Sequence, residues 1–274
     1  MRRPPVRHVA LALAVPFVAA GATVYVAQNL GGWNGSPQAQ TYQAGPGPSA
    51  PRIRSVVALG DSVPSGTNCD CTPYPSLLAR DLQRRTNTSV GVVNLSVGGL
   101  TSEQVEAQLN DDTDARRAVR GADVVLVTAG ANDLQDLAHP DGCDEKCVNG
   151  MVDEATRRVG SIVTSVRHLS PEARVLVTTY WNVLADGDAV PDDASKAWND
   201  HLTRAFNASL TRQVQRAGGQ LVDLYAPFKG DGSVNPTPLL AEDGDHPNAR
   251  GHQLIEKTLL AAIDGPTAPT GTHS

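Results

Sequence analysis

Aromatic side chains are scarce in this sequence: Phe, Trp and Tyr make up 4% of its 274 residues. That leaves no sign of an extended sugar-stacking surface, although a Trp or two suffices for a local contact. Positive charge is short as well. Lys and Arg number 23 against 29 Asp and Glu, a formal net charge of -6. A protein that tracks nucleic-acid phosphates needs a basic face to release counterions, so nucleic acid is excluded as the expected partner. Apolar runs long enough to cross a membrane are limited to one, near the start, and no internal repeat is visible. Cysteine is limited to four residues, Cys69, Cys71, Cys143 and Cys147.

The single long apolar run, Val9 to Ala27, follows Arg2, Arg3 and Arg7. A basic start and an uncharged apolar stretch have the layout of a secretory signal, with Ala20, Gly21 and Ala22 offering a small-residue cleavage site. The run also approaches the roughly 20 residues that span a bilayer, which makes an uncleaved membrane anchor the alternative. Residues 1–30 are therefore expected to be a signal peptide or an anchor. Either one exports the rest of the chain, to the outside or to the outer face of the membrane. Residues 31–52 are rich in Gly, Pro, Gln, Ser and Ala and hold too little apolar surface to order themselves, and 265–274 have the same character. A linker and a tail are expected there, around one domain over 53–264. In an exported chain an even set of cysteines reads first as two disulfides, with three connectivities open. Zinc held by the Cys-x-Cys and Cys-x-x-x-Cys pairs is the alternative.

From Arg54 onward, short runs rich in Val, Leu and Ala alternate with longer charged segments. The pattern predicts strands at Ser55 to Leu59, Val90 to Leu95, Val124 to Thr128, Val175 to Thr179 and Gln220 to Leu224. Helices are predicted at Pro75 to Arg85, Ser102 to Leu109, Val152 to Leu169, Ala194 to Ala217 and Asn248 to Ile263. Apolar strands separated by helices call for a parallel sheet covered on both faces, with functional residues at the C-terminal strand ends.

Four segments stand at such positions. The first strand runs into Gly60-Asp61-Ser62-Val63-Pro64-Ser65-Gly66, where a turn lifts a Ser hydroxyl out of the sheet. The second ends in Asn94-Leu95-Ser96-Val97-Gly98-Gly99, whose glycines permit close backbone approach of a ligand. The third leads into Ala129-Gly130-Ala131-Asn132-Asp133, placing a side-chain amide donor at a strand end. The last, Asp243-Gly244-Asp245-His246-Pro247, precedes the final helix, and a carboxylate three residues before a His can hold its Nδ1–H. Taken singly, the first two segments read first as turn or capping chemistry, the third proves little, and the last is the strongest, although it also reads as an acidic capping loop or as metal ligands Asp243, Asp245 and His246. Asp61 reads as a structural hydrogen-bonding partner. His139, His168, His201 and His252 lack a comparable setting. Tyr180 and Trp181 follow the fourth strand, where they either line a substrate pocket or pack in the core.

Together, in order and spacing, the four segments resemble the block pattern of the SGNH (GDSL-type) serine esterase and lipase family, over Ser55 to about Ile263. Val63 stands where the short motif name has Leu, and the Gly-x-Ser-x-Gly elbow of α/β-hydrolases is missing. The resemblance implies an α/β fold, a three-layer α/β/α sandwich around a mostly parallel, flavodoxin-like sheet of about five strands. It implies Ser62 as nucleophile, with His246 and Asp243 completing the triad. Ser62, Gly99 and Asn132 are implied as oxyanion donors, with Gly98 the alternative to Gly99. It requires no cofactor and no protein partner, and implies a small-molecule, lipid or glycan ester as substrate. Acyl transfer by the same triad, and a silent cell-surface binding module, are the competing functions. The cysteine pairs follow the first and third blocks, where disulfides would brace the rim of the site.

Overall fold

The computed structural model describes residues 52–138 and 143–265. The expected leader, nearly all of the expected linker, His139 and the tail from residue 266 lie outside the described residues. The elements run β1 (Ser55–Gly60), α1 (Ser62–Ser65), α2 (Tyr74–Thr86), β2 (Gly91–Asn94), α3 (Ser102–Asp111), α4 (Thr113–Arg120), β3 (Val124–Thr128), α5 (Glu145–Leu169), β4 (Arg174–Thr178), α6 (Asp193–Arg216), β5 (Gln220–Val222), α7 (Tyr225–Lys229) and α8 (Ala249–Asp264). Five strands pair in the order β2-β1-β3-β4-β5, every pair parallel. The sheet is therefore wholly parallel. Helices α2 and α8 pack together on one face, while α3, α4, α5 and α6 form the other layer; for the helices that connect strands this is what right-handed crossovers in this strand order require.

The central strands bury Val56 to Leu59, Val124 to Val127 and Val175 to Val177, which is why they read as unbroken apolar runs. Strand β2 differs. It is an edge strand, and Val92 and Val93 are 37% and 44% exposed, so its apolar composition does not signify cover on both faces.

Helix boundaries follow their caps. Thr101 caps α3 in a reciprocal capping box with Gln104. Asp112 ends α3 and accepts from the backbone of Asp114 and Ala115, starting α4, a helix the sequence pattern leaves as loop because its buried face is only Ala115 and Val119. Asp144 caps α5 through the Cys147 N–H at 2.8 Å, so this helix begins seven residues before the expected Val152. Both disulfides are local, Cys69–Cys71 after α1 and Cys143–Cys147 across the first turn of α5. Their Cα separations, 5.0 and 5.4 Å, suit a disulfide.

Chain order reverses between β1 and β3: the chain leaves β1 toward β2, then returns across it to reach β3. In an open parallel sheet the crevice at that reversal, beyond the C-terminal strand ends, is where ligands bind.

Candidate active site

Ser62 sits at that crevice because Gly60 lets the chain turn there. Gly60 has φ +149°, and a Cβ on it would overlap the Thr128 carbonyl oxygen at the end of β3, so no larger residue fits. The next N–H, of Asp61, donates to that same carbonyl at 3.1 Å. Asp61 is 1% exposed. Its Oδ1 accepts the Val63 N–H at 3.0 Å, capping α1, and its Oδ2 accepts the Tyr180 hydroxyl. Burial pushes the Asp61 carboxyl up to about 7, against the pull of those two hydrogen bonds.

The second and third segments close on this turn. Val97 donates its N–H to the Gly60 carbonyl at 3.1 Å. A Cβ on Gly98 would lie 2.9 Å from Thr67 Oγ1 and 3.9 Å from Ser62 Cβ, whereas one on Gly99, at φ +84°, would meet nothing within 4 Å. Gly98 is thus the close approach and Gly99 the open position. The Asn132 amide donates to the Leu100 carbonyl at 2.9 Å. Asp133 accepts both the backbone N–H and the hydroxyl of Ser102, at 2.7 and 2.6 Å. Asn132 and Asp133 therefore hold the glycine loop beside the Ser62 turn.

His246 hydrogen-bonds Asp243, Nδ1 to Oδ2, at 2.7 Å. Asp243 Oδ1 accepts the backbone N–H groups of Asp245 and His246 at 2.9 and 3.0 Å, and its Oδ2 also accepts from Asn68 at 2.6 Å. Partial burial raises the Asp243 carboxyl, but the bonds from Asn68, Asp245 and His246 outweigh it and hold the group well below the usual carboxylate range. Asp245 behaves oppositely. With its Oδ2 3.9 Å from His246 Nε2, desolvation lifts it to about 6, with His246 pulling it down and Asp243 pushing it up. Among the described residues no hydrogen bond joins His246 to the Ser62 hydroxyl; the loop that follows α1 meets the last segment through Asn68 and Asp243.

The family model described as "GDSL-like Lipase/Acylhydrolase family" matches residues 58–254, a span that holds all four segments. The chain belongs to this family. Among curated proteins, this GDSL-like hydrolase is 23% identical over 216 residues to the uncharacterized protein YpmR of Bacillus subtilis (strain 168), covering 76% of this chain and 80% of that one. Among solved structures it resembles the lipase Lip_vut3 from a goat rumen metagenome, with TM-score 0.66, 22% identity, and cover of 78% of this chain and 100% of that one. It also resembles Axe2, an acetylxylan esterase from Geobacillus stearothermophilus, with TM-score 0.57, 20% identity, and cover of 80% and 100%.

In this GDSL-like hydrolase the two aromatics read as either pocket wall or core lie inside the fold. Tyr180 and Trp181 are both buried; Trp181 stacks on Phe228 with ring centroids 4.3 Å apart, and Tyr180 turns its hydroxyl to Asp61. Asp243, Asp245 and His246 do not bring three possible ligand atoms within 4.8 Å of one another. Among the described residues the one trio of possible ligand atoms within 4.8 Å of one another is Cys69, Cys71 and His252, and there the two sulfurs are joined. His252 is buried in α8, accepts the Tyr74 N–H at Nδ1, 3.3 Å away, and is lowered to about 4 by burial. His168 bonds its own helix at the Thr164 carbonyl.

Supports that the sequence does not advertise hold the last segment in place. The Gly244 carbonyl accepts from the Asp186 N–H at 2.8 Å and the Asn182 amide at 3.3 Å, and Asp186 is itself paired with buried Lys229. The pairings span 43 to 62 positions, so only the fold brings them together.

Proposed function

We propose that this family member is an exported serine hydrolase of carboxylic esters, with Ser62 as nucleophile, His246 as base and Asp243 as the group that orients His246. The observation that carries the reading is the 2.7 Å bond from His246 Nδ1 to Asp243 Oδ2. With Nδ1–H engaged, Nε2 is the basic nitrogen, and it belongs to a loop joined through Asn68 to the Ser62 turn. As the Ser62 Oγ to carbonyl-carbon bond forms, the hydroxyl proton passes to Nε2. Collapse of the tetrahedral adduct breaks the bond to the alcohol oxygen, which takes that proton. Water then attacks the acyl-enzyme and gives a proton to Nε2; the Ser62 Oγ to acyl-carbon bond breaks, Oγ takes that proton back, and the acid leaves with Ser62 and His246 restored.

The developing oxyanion takes the Ser62 and Gly99 N–H groups and the second N–H of the Asn132 amide, the first being engaged by Leu100. A lipase and an acetylxylan esterase share the fold, so lipid esters and acetyl groups on glycans are the two substrate classes proposed for this chain. Export is proposed from the basic and apolar leader together with two disulfides, which persist in oxidising compartments.

Hydrolysis of p-nitrophenyl esters from acetyl to palmitoyl tests the reading, with Ser62→Ala beside the wild type. Turnover is expected in the wild type and a loss of about 10⁴-fold or more in the variant. Equal turnover in the two would remove Ser62 from the chemistry.

A further inference from the structure

Asn68 lies between α1 and α2, in the loop that follows Ser62, and no segment singled out in the sequence includes it. Its amide reaches Asp243 Oδ2 at 2.6 Å, the oxygen that also accepts His246 Nδ1–H, across 175 positions of sequence. Asp243 takes four hydrogen bonds among the described residues. Three come from its own loop: the Asp245 N–H, the His246 N–H and the His246 ring. The Asn68 amide is the one that comes from elsewhere, and it comes from the loop that follows the nucleophile's turn.

The first three bonds fix Asp243 relative to His246, and of the four only the last ties that pair directly to the loop that follows Ser62, beside the supports at Gly244 that hold the segment to the rest of the fold. Asn68 is held for this purpose by its backbone. Its φ is +57°, a left-handed conformation that Asn tolerates better than other L residues with a side chain. The loop is tied down on both sides, by Thr67 N–H to the Ser62 carbonyl at 3.1 Å and by the Cys69–Cys71 disulfide.

We infer that Asn68 is a positioning residue for the reaction, a clamp that sets the distance between the Asp243–His246 pair and the Ser62 turn. The inference rests on the triad reading above. Asn68 touches no reacting atom and acts through Asp243. Its side chain is solvent-exposed, so water competes for the bond and its loss is felt as about a tenfold effect rather than the larger one of a buried charged pair.

The test compares steady-state ester hydrolysis by the full chain with Asn68→Gly, Asp70→Gly and Asp243→Ala. Glycine accepts the left-handed backbone at both loop positions, and Asp70, at φ +47° beside Asn68, makes no bond to Asp243. Asn68→Gly is expected to lower kcat about tenfold with KM within about twofold of wild type, because proton transfer rather than binding is affected. Asp70→Gly, which loosens the same loop, is expected to keep wild-type kcat. Equal kcat in Asn68→Gly and wild type, or equal losses in the two glycine variants, would overturn the clamp. Wild-type turnover in Asp243→Ala would instead overturn the triad on which it rests.

Discussion

Two carboxylates in one site titrate in opposite directions, and the difference lies in what surrounds each residue. Asp61 is enclosed and raised to about 7 by burial, while Asp243 is only partly buried and collects enough donors to stay ionised. A folded-state value above the ordinary 3.8 means that the native protein binds the Asp61 proton more tightly than the unfolded chain does. Its contribution to stability is therefore complete below about pH 4 and is lost as the pH rises toward about 7. Asp61→Asn keeps an acceptor for the Val63 N–H and removes the charge. We expect its stability, read from urea midpoints, to match wild type near about pH 4 and to exceed it near about pH 8. A difference that is constant across that range would mean that Asp61 is not the group that titrates. The same burial explains why Tyr180 is aimed inward: its hydroxyl gives the carboxylate a donor where water cannot.

At the scale of elements, the strands were legible and the connections were not. Apolar runs such as Val124 to Thr128 specify a buried parallel strand directly, and that strand occupies the residues the pattern assigns to it. Short elements such as α4 and α7 bury too few side chains to leave a period in the sequence. The exposure of β2 follows from its edge position, which strand order decides and composition does not. The triad candidates were legible as motifs because they lie within short segments. The bonds that assemble those segments, Asn68 to Asp243 and Tyr180 to Asp61, join residues 175 and 119 positions apart and leave no local trace.

The disulfides act at this scale too. Their sequence separations of 2 and 4 close very short loops, for which chain entropy yields only about 2 kcal/mol each. Reducing either pair should lower the Tm of a domain this size by about 4 to 8 °C without unfolding it at room temperature. An unchanged Tm on full reduction would show that the pairs do not brace the loops.

For the molecule as a whole, a parallel sheet with one reversal of strand order concentrates chemistry at one place. Segments after β1, β2 and β3 and the segment before α8 converge there, although they span residues 60 to 246. Family membership and the shared fold account for that convergence without choosing among esters. Among the described residues no helix is long and apolar enough to cross a membrane.

The central claim is that Ser62 forms a covalent acyl-enzyme. The measurement that meets it most directly is mass analysis of the protein after reaction with a fluorophosphonate, which traps an activated serine at phosphorus. The account predicts a single adduct on the peptide carrying Ser62, lost in Ser62→Ala and slowed when His246 is replaced by Ala. An inhibited enzyme with Ser62 unmodified, or an adduct on another residue, would contradict it.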